Sequence, residues 1–210
     1  MKKLEIDIPL TSAILKGDLT IPMGATGIVV FSHGIGSSRF STRNRMVAEL
    51  LQKQKIGTLL LDLLTDEENS VYENRFNIDL LTSRLIETTE WLVNYSEVNG
   101  LPICYFGANT GAASTIRAAA YFGDTIKAVV SRGGRPDLAS NALHQVTAPT
   151  LFIVGGEDIP IIEMNKRAYD ELHCEKEMKV ITGATHLFEE PGKLFEVADS
   201  AIIWYTKYLP

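Results

Sequence analysis

Residues 102–113, Pro102-Ile103-Cys104-Tyr105-Phe106-Gly107-Ala108-Asn109-Thr110-Gly111-Ala112-Ala113, decide the fold. An apolar run leads into Gly-x-Asn-x-Gly, and a row of small residues follows. The pattern predicts a buried strand, a sharp turn and the first turns of a helix lying close on that strand. Glycines two residues before and two after position 109 let strand and helix approach, so the central side chain stands out above the sheet. Asparagine enters the left-handed region more readily than most residues, so it suits such a turn. The first N–H groups of a helix have no partner within it and carry a positive partial charge. An oxygen acceptor can be held there.

Outward from this stretch, the chain alternates apolar runs with helical patterns. Residues 4–10 and 13–21 read as an antiparallel hairpin. Residues 27–32, Gly-Ile-Val-Val-Phe-Ser, read as a strand buried on both faces, ending in His33-Gly34-Ile35-Gly36. A helix is predicted over 43–53, with Ser41 and Thr42 as candidate N-caps, and a strand over 57–63. Residues 65–73 read as an acidic loop. An amphipathic helix is predicted over 78–98, with Leu80, Leu81, Leu85, Ile86, Trp91 and Leu92 on its apolar side and Asn99-Gly100 as its stop. A helix over 111–121 follows the turn. Strands at 126–130, 149–154 and 178–181 alternate with helices at 161–172 and 194–208. Such alternation implies a mostly parallel, doubly wound sheet with helices on both faces, forming one α/β domain over residues 1–210. The short gap between the strands at 126 and 149 leaves no room for a cap domain. Ligands of such sheets bind beyond the carboxyl ends of the strands, where every glycine-rich polar cluster of this chain falls.

The chain has 210 residues, 45% of them hydrophobic, and a formal net charge of −6. Its positive charges are dispersed, which argues against nucleic acid as a partner. No run approaches the length of a membrane span, and Met1-Lys2-Lys3 has no apolar stretch behind it, unlike a signal peptide. Of the two cysteines, Cys104 falls in the apolar strand and reads as a buried small hydrophobe. A reducing cytoplasm is the expected location. No His/Cys/Asp spacing resembles a metal-ligand set, and no cofactor is implied, so the expected partner is a small molecule.

Four pieces line up at strand ends in chain order: His33-Gly34-Ile35-Gly36, Gly107-Ala108-Asn109-Thr110-Gly111, Asp158 and His186. With them go Leu59-Leu60-Leu61-Asp62-Leu63, Val130-Ser131-Arg132-Gly133-Gly134-Arg135-Pro136-Asp137 and Val154-Gly155-Gly156-Glu157-Asp158. Over essentially its whole length the chain resembles the α/β-hydrolases, and among them the dienelactone hydrolase-like group. The resemblance implies a Ser-Asp-His type triad in the order nucleophile, acid, histidine. It puts position 109 at the nucleophile, Asp158 as the group orienting the histidine, and His186 as general base. The oxyanion donors it implies are the backbone N–H groups of Ile35 and Thr110. The residues agree: Asp158 follows a buried strand where a carboxylate can accept from an imidazole, and His186 lies in a loop free to reach over the sheet.

An asparagine at position 109 departs from the pattern. An amide has no hydroxyl or thiol proton for a histidine to remove. Three readings follow: an ester hydrolase whose nucleophile has been replaced, a protein that binds a small molecule without converting it, and an enzyme in which His186 activates water or the amide becomes a carboxylate nucleophile. His33 is expected to brace its loop and touch substrate. Arg132 and Arg135 are candidates to hold a substrate carboxylate or phosphate. Arg39, Arg43 and Arg45 read as a solvated face, Asp62 as structural, and His144 and His173 as surface residues.

Overall fold

A computed structural model describes residues 1–34, 36–98 and 100–210. An eight-stranded sheet runs through the molecule in the order β1-β2-β4-β3-β5-β6-β7-β8. β1 (Lys2–Pro9) and β2 (Ile14–Ile21) form the antiparallel hairpin, with Ile6 opposite Gly17. β2 runs antiparallel to β4 (Ile56–Leu61). From β4 onward, β3 (Gly27–Ser32), β5 (Ile103–Ala108), β6 (Ile126–Arg132), β7 (Thr150–Gly155) and β8 (Lys176–Ile181) are all parallel. This is the α/β-hydrolase architecture that the resemblance implies.

The central strands β3, β4, β5 and β7 are buried at every position. Side chains alternate along a strand between the two faces, and the core divides accordingly. On one face Ile28, Val30, Tyr105 and Val129 meet Leu81, Leu85 and Leu92 of α3 (Ile78–Val93) and Ile116 of α4 (Gly111–Phe122). On the other, Val29, Phe31, Phe106 and Val130 meet Val47 and Leu51 of α1 (Thr42–Lys53) and Trp204 and Tyr205 of α6 (Lys193–Tyr208). α5 (Ile159–Glu171) packs beside β7. Two short 3-10 turns alone separate β6 from β7, so no cap is inserted there.

Two expectations are corrected. Part of the acidic loop at 65–73 is helical: α2 (Asp66–Ser70) is fixed by a capping box in which Glu68 N–H donates to Thr65 Oγ1 and Thr65 N–H donates to a Glu68 carboxylate oxygen. A second oxygen of Glu68 accepts from Arg84 of α3, tying the segment down. The long helix ends at Val93 with Asn94 as its C-cap, earlier than the Asn99-Gly100 stop, and turns follow. Asn99 itself lies outside the described residues. Among them, no helix is long and apolar enough to cross a membrane.

Candidate active site

The turn after β5 is held by its neighbours on both sides. Asn109 has φ of +53°. Its N–H donates to the Arg132 carbonyl at the end of β6, and its carbonyl accepts from Ala112 N–H and Arg135 N–H. Strand and helix approach so closely that a Cβ on Gly107 would lie 2.5 Å from Ala112 Cα, and one on Gly111 would run into the Ser32 backbone. The two glycines are therefore needed by contact, not by φ.

The side-chain hydrogen bonds of the site leave no freedom of assignment. Thr110 N–H donates to Asn109 Oδ1 at 2.7 Å, which fixes the amide oxygen on that side. The amide nitrogen then faces His186 Nε2 at 3.0 Å. Because an amide nitrogen only donates, Nε2 must be the acceptor and the ring proton sits on Nδ1. His186 Nδ1–H donates to Asp158 Oδ2 at 2.7 Å. Asp158 precedes α5 yet makes no side-chain cap bond to it, so its carboxylate is left to the histidine. The three side chains predicted as a triad are thus brought into one line. Thr110, predicted as an oxyanion donor, has its N–H at the head of that line. Ile35, the other predicted donor, lies outside the described residues.

The Asn109 amide spans the space between the Thr110 N–H and the imidazole. In a serine enzyme that space takes the nucleophile's proton and the developing oxyanion. Here both are occupied by one side chain that donates no abstractable proton.

His33 is half-buried, with its Nδ1 against the Gly34 carbonyl and its Nε2 3.7 Å from Asp62 Oδ1. Desolvation outweighs the Gly34 hydrogen bond and the attraction of Asp62 and pushes its pKa below 6.5, toward the neutral ring. It lines a cleft of about 760 Å³ with Ser37, Ser38, Arg39, Asp62 and Thr65. Arg39 ion-pairs with Asp62, Asp18 and Glu5. His144 and His173 are exposed.

The arginines divide differently from expectation. Arg135 is bound at 2.7–2.8 Å to the Asp137 carboxylate, and it serves the elbow through its backbone N–H. Arg132 is 6% exposed and makes no ion pair among the described residues. Its Nη2 donates to the neutral Asn44 amide at 3.2 Å, its guanidinium stands 5.8 Å over the Phe188 ring, and its Nε has no acceptor. Desolvation, then the like charge of Arg43, pushes its pKa down to about 10. A drop of that size corresponds to about 3 kcal/mol of unfavourable burial at neutral pH. Arg43 is not simply solvated either: its Nη1 pairs with Glu189 at 2.6 Å, while its Nε is buried without an acceptor. The helical spacing of 43–53 placed Arg43 on an outer face, and nothing in it showed that the His186 loop folds over that face.

The chain is similar to several known proteins over nearly its whole length. Two curated proteins of Mycobacterium tuberculosis, strains CDC 1551 / Oshkosh and ATCC 25618 / H37Rv, each named "Putative phosphoribosyl transferase", are 49% identical over 98% of this chain. The match covers 46% of their length, so the chain spans about half of these relatives. A crystal structure of dienelactone hydrolase from Anabaena variabilis ATCC 29413 is 50% identical, covers 100% of this chain and 99% of that one, and superposes with a TM-score of 0.97. Est1E from Butyrivibrio proteoclasticus shares the fold at 15% identity, covering 97% of this chain and 98% of its own, with a TM-score of 0.83. Residues 19–203 match the dienelactone hydrolase family, and with the elbow, the acid and the histidine in its order, the chain belongs to that family.

Proposed function

We propose that the site is built for hydrolysis of a carboxylic ester or similar acyl bond through an acyl-enzyme, and that Asn109 at the nucleophile position leaves this chain inactive or severely impaired. The observation that carries the proposal is the hydrogen-bonded line Asn109–His186–Asp158 with the Thr110 N–H at its head. His186 has its proton on Nδ1 and an acceptor pair on Nε2, which here takes the Asn109 amide N–H and in a serine form would remove the nucleophile's proton. Asp158 holds that tautomer and would stabilise the imidazolium formed. In a serine form, Oγ would attack the acyl carbon, its proton would pass to Nε2, and the carbonyl oxygen would take its charge against the Thr110 N–H. Collapse would expel the alcohol, protonated by His186, and water would release the acid by the same steps in reverse.

The test is Asn109→Ser assayed beside the parent on a neutral short-chain activated ester. Loss of a triad nucleophile costs about a million-fold in turnover in the enzymes where it has been measured. The serine form is therefore expected to gain at least about 10³-fold over the parent, and the gain should vanish when His186→Ala is added. A serine form no faster than the parent would overturn the proposal.

One observation favours a second reading, small-molecule binding without turnover. The Asn109 amide already occupies Nε2, so a water cannot be activated there unless the amide moves, whereas the cleft beside His33 remains open. A saturable ligand recovered unchanged after incubation would support it.

A further inference from the structure

From the buried, unpaired guanidinium of Arg132 we infer a site for an oxyanion group, a carboxylate or a phosphate, between Arg132 and Arg43 under the His186 loop. It rests on the acyl-hydrolase proposal in one respect: the anion would be a substituent of the substrate, held beside the reacting bond.

Four observations carry it. First, Arg132 lies at the end of β6, and its own carbonyl holds the Asn109 N–H, so its backbone is tied to the elbow while its guanidinium meets Phe188, two residues beyond His186. Second, the buried arginine elsewhere in the molecule is neutralised: Arg84 pairs with Glu68. Arg132 has only the neutral Asn44 oxygen and an aromatic face. A buried charge is ordinarily paired, because leaving it alone forfeits its hydration without return. Third, its charged neighbour is another cation. Arg39, Arg43, Arg84 and Arg132 all keep a buried Nε–H with no acceptor, but the first three have a carboxylate on another nitrogen, whereas among the described residues Arg132 has none. Fourth, the Arg43 side has access to solvent. Its partner Glu189 is 61% exposed and lies three residues beyond His186, and can swing away as an incoming anion takes its place on Arg43. Guanidinium groups suit either anion, since their planar N–H pairs match two oxygens at once.

An arginine that merely braces the fold and one that waits for an anion respond oppositely to removal. Thermal unfolding of the whole chain is followed while inorganic phosphate or propionate is titrated against chloride at constant ionic strength. The melting temperature is expected to rise saturably with one of the two, and the effective anion names the substituent. Arg132→Met should abolish the rise while melting at or above the parent without anion. Glu189→Gln, which removes the competing carboxylate, should lower the half-saturating concentration several-fold. Arg132→Lys should retain a weakened rise.

No saturable rise with either anion, an equal rise in Arg132→Met, or a strongly lowered or absent melting transition in Arg132→Met would each overturn the site. The readout needs no activity, so it is separable from the acyl-hydrolase proposal. Asn109→Ser turning over a neutral ester in a chain that binds no anion would remove this site alone. Saturable anion binding with no turnover by Asn109→Ser would remove the ester reaction and leave the anion site.

Discussion

At the scale of single residues, the site is decided by which atoms can donate. Thr110 N–H can only donate, so Asn109 Oδ1 must face it, and the protonation of His186 follows from that one contact. His33 shows the same logic applied to charge. It is half-buried, and loss of solvent around the ring lowers its pKa from 6.5 despite the Gly34 hydrogen bond and the nearby Asp62. The unfolded chain therefore takes up this proton at higher pH than the folded chain does. The stability tied to neutral His33 is present above about pH 6.5 and is lost as pH falls through the unfolded value toward the folded one. Urea unfolding at a series of pH values from 7.5 to 5 should show the parent losing stability more steeply than His33→Gln. The excess slope can reach about 1.4 kcal/mol per pH unit. Parallel curves for the two proteins would show that His33 is not held neutral. Asn109, Asp158 and His186 were legible in the sequence because they stand at strand ends in a fixed chain order. The isolation of Arg132 was not, since a residue type and a spacing do not disclose which carboxylates fold beside it.

At the scale of elements, the turn between β5 and α4 is the most constrained join in the molecule. Gly107 has no room for a Cβ: one built there would lie 2.5 Å from Ala112 Cα and 2.5 Å from Thr115 Oγ1. The backbone of α4 cannot retreat without dragging Thr110 N–H from its place. Gly107→Ala should cost about 3 kcal/mol or more, the upper range for overpacking a rigid site, in chemical unfolding. Gly24, at φ +69° with open space around it, supplies the contrast. Gly24→Ala should cost only about 1 kcal/mol, through the left-handed backbone alone. Equal costs would mean that the elbow is not close-packed. The strands and long helices were legible because their apolar residues repeat at two and at 3.6 residues. α2 was not. Its five residues, Asp66–Ser70, carry no apolar stripe and no buried side chain. What makes it a helix is the reciprocal Thr65–Glu68 cap and the tie from Glu68 to Arg84 sixteen residues on, a contact that no local pattern displays. The early end of α3 is of the same kind: Val98 is buried in the core from the turn that follows the helix, so its apolar character extended the helical pattern past its true end.

At the scale of the whole molecule, one sheet carries two large cores and a small third cluster of Val154, Ile161 and Ile162, and the central strands contribute alternate residues to the two large ones. Tyr105 sends its ring to the α3 side, where its hydroxyl meets Thr89, while its carbonyl accepts from the hydroxyl of Tyr205 on α6. Phe106, the next residue, packs on the α6 side. Neither core can lose its strands while the other keeps them. The cores should therefore unfold together, although they are separate clusters of side chains. The chain supplies a reporter for each. It has two tryptophans, Trp91 of α3 packed against one core and Trp204 of α6, 4% exposed, within the other. Trp204→Phe leaves fluorescence reporting the α3 face, and Trp91→Phe leaves it reporting the α6 face. In each variant the fluorescence transition in urea should superimpose on that variant's own far-ultraviolet circular dichroism transition. Leu85→Ala, fully buried on the α3 side, should lower stability by about 2–5 kcal/mol. When it is added to Trp91→Phe, it should move the Trp204 transition on the opposite face by the same amount. Two separated transitions, or a Trp204 signal that ignores Leu85→Ala, would mean that the sheet does not couple its faces. The consequence for the site is direct. Asn109 extends from β5, Asp158 from β7 and His186 from β8, with β6 between them, so the line of hydrogen bonds persists only while that whole sheet is folded.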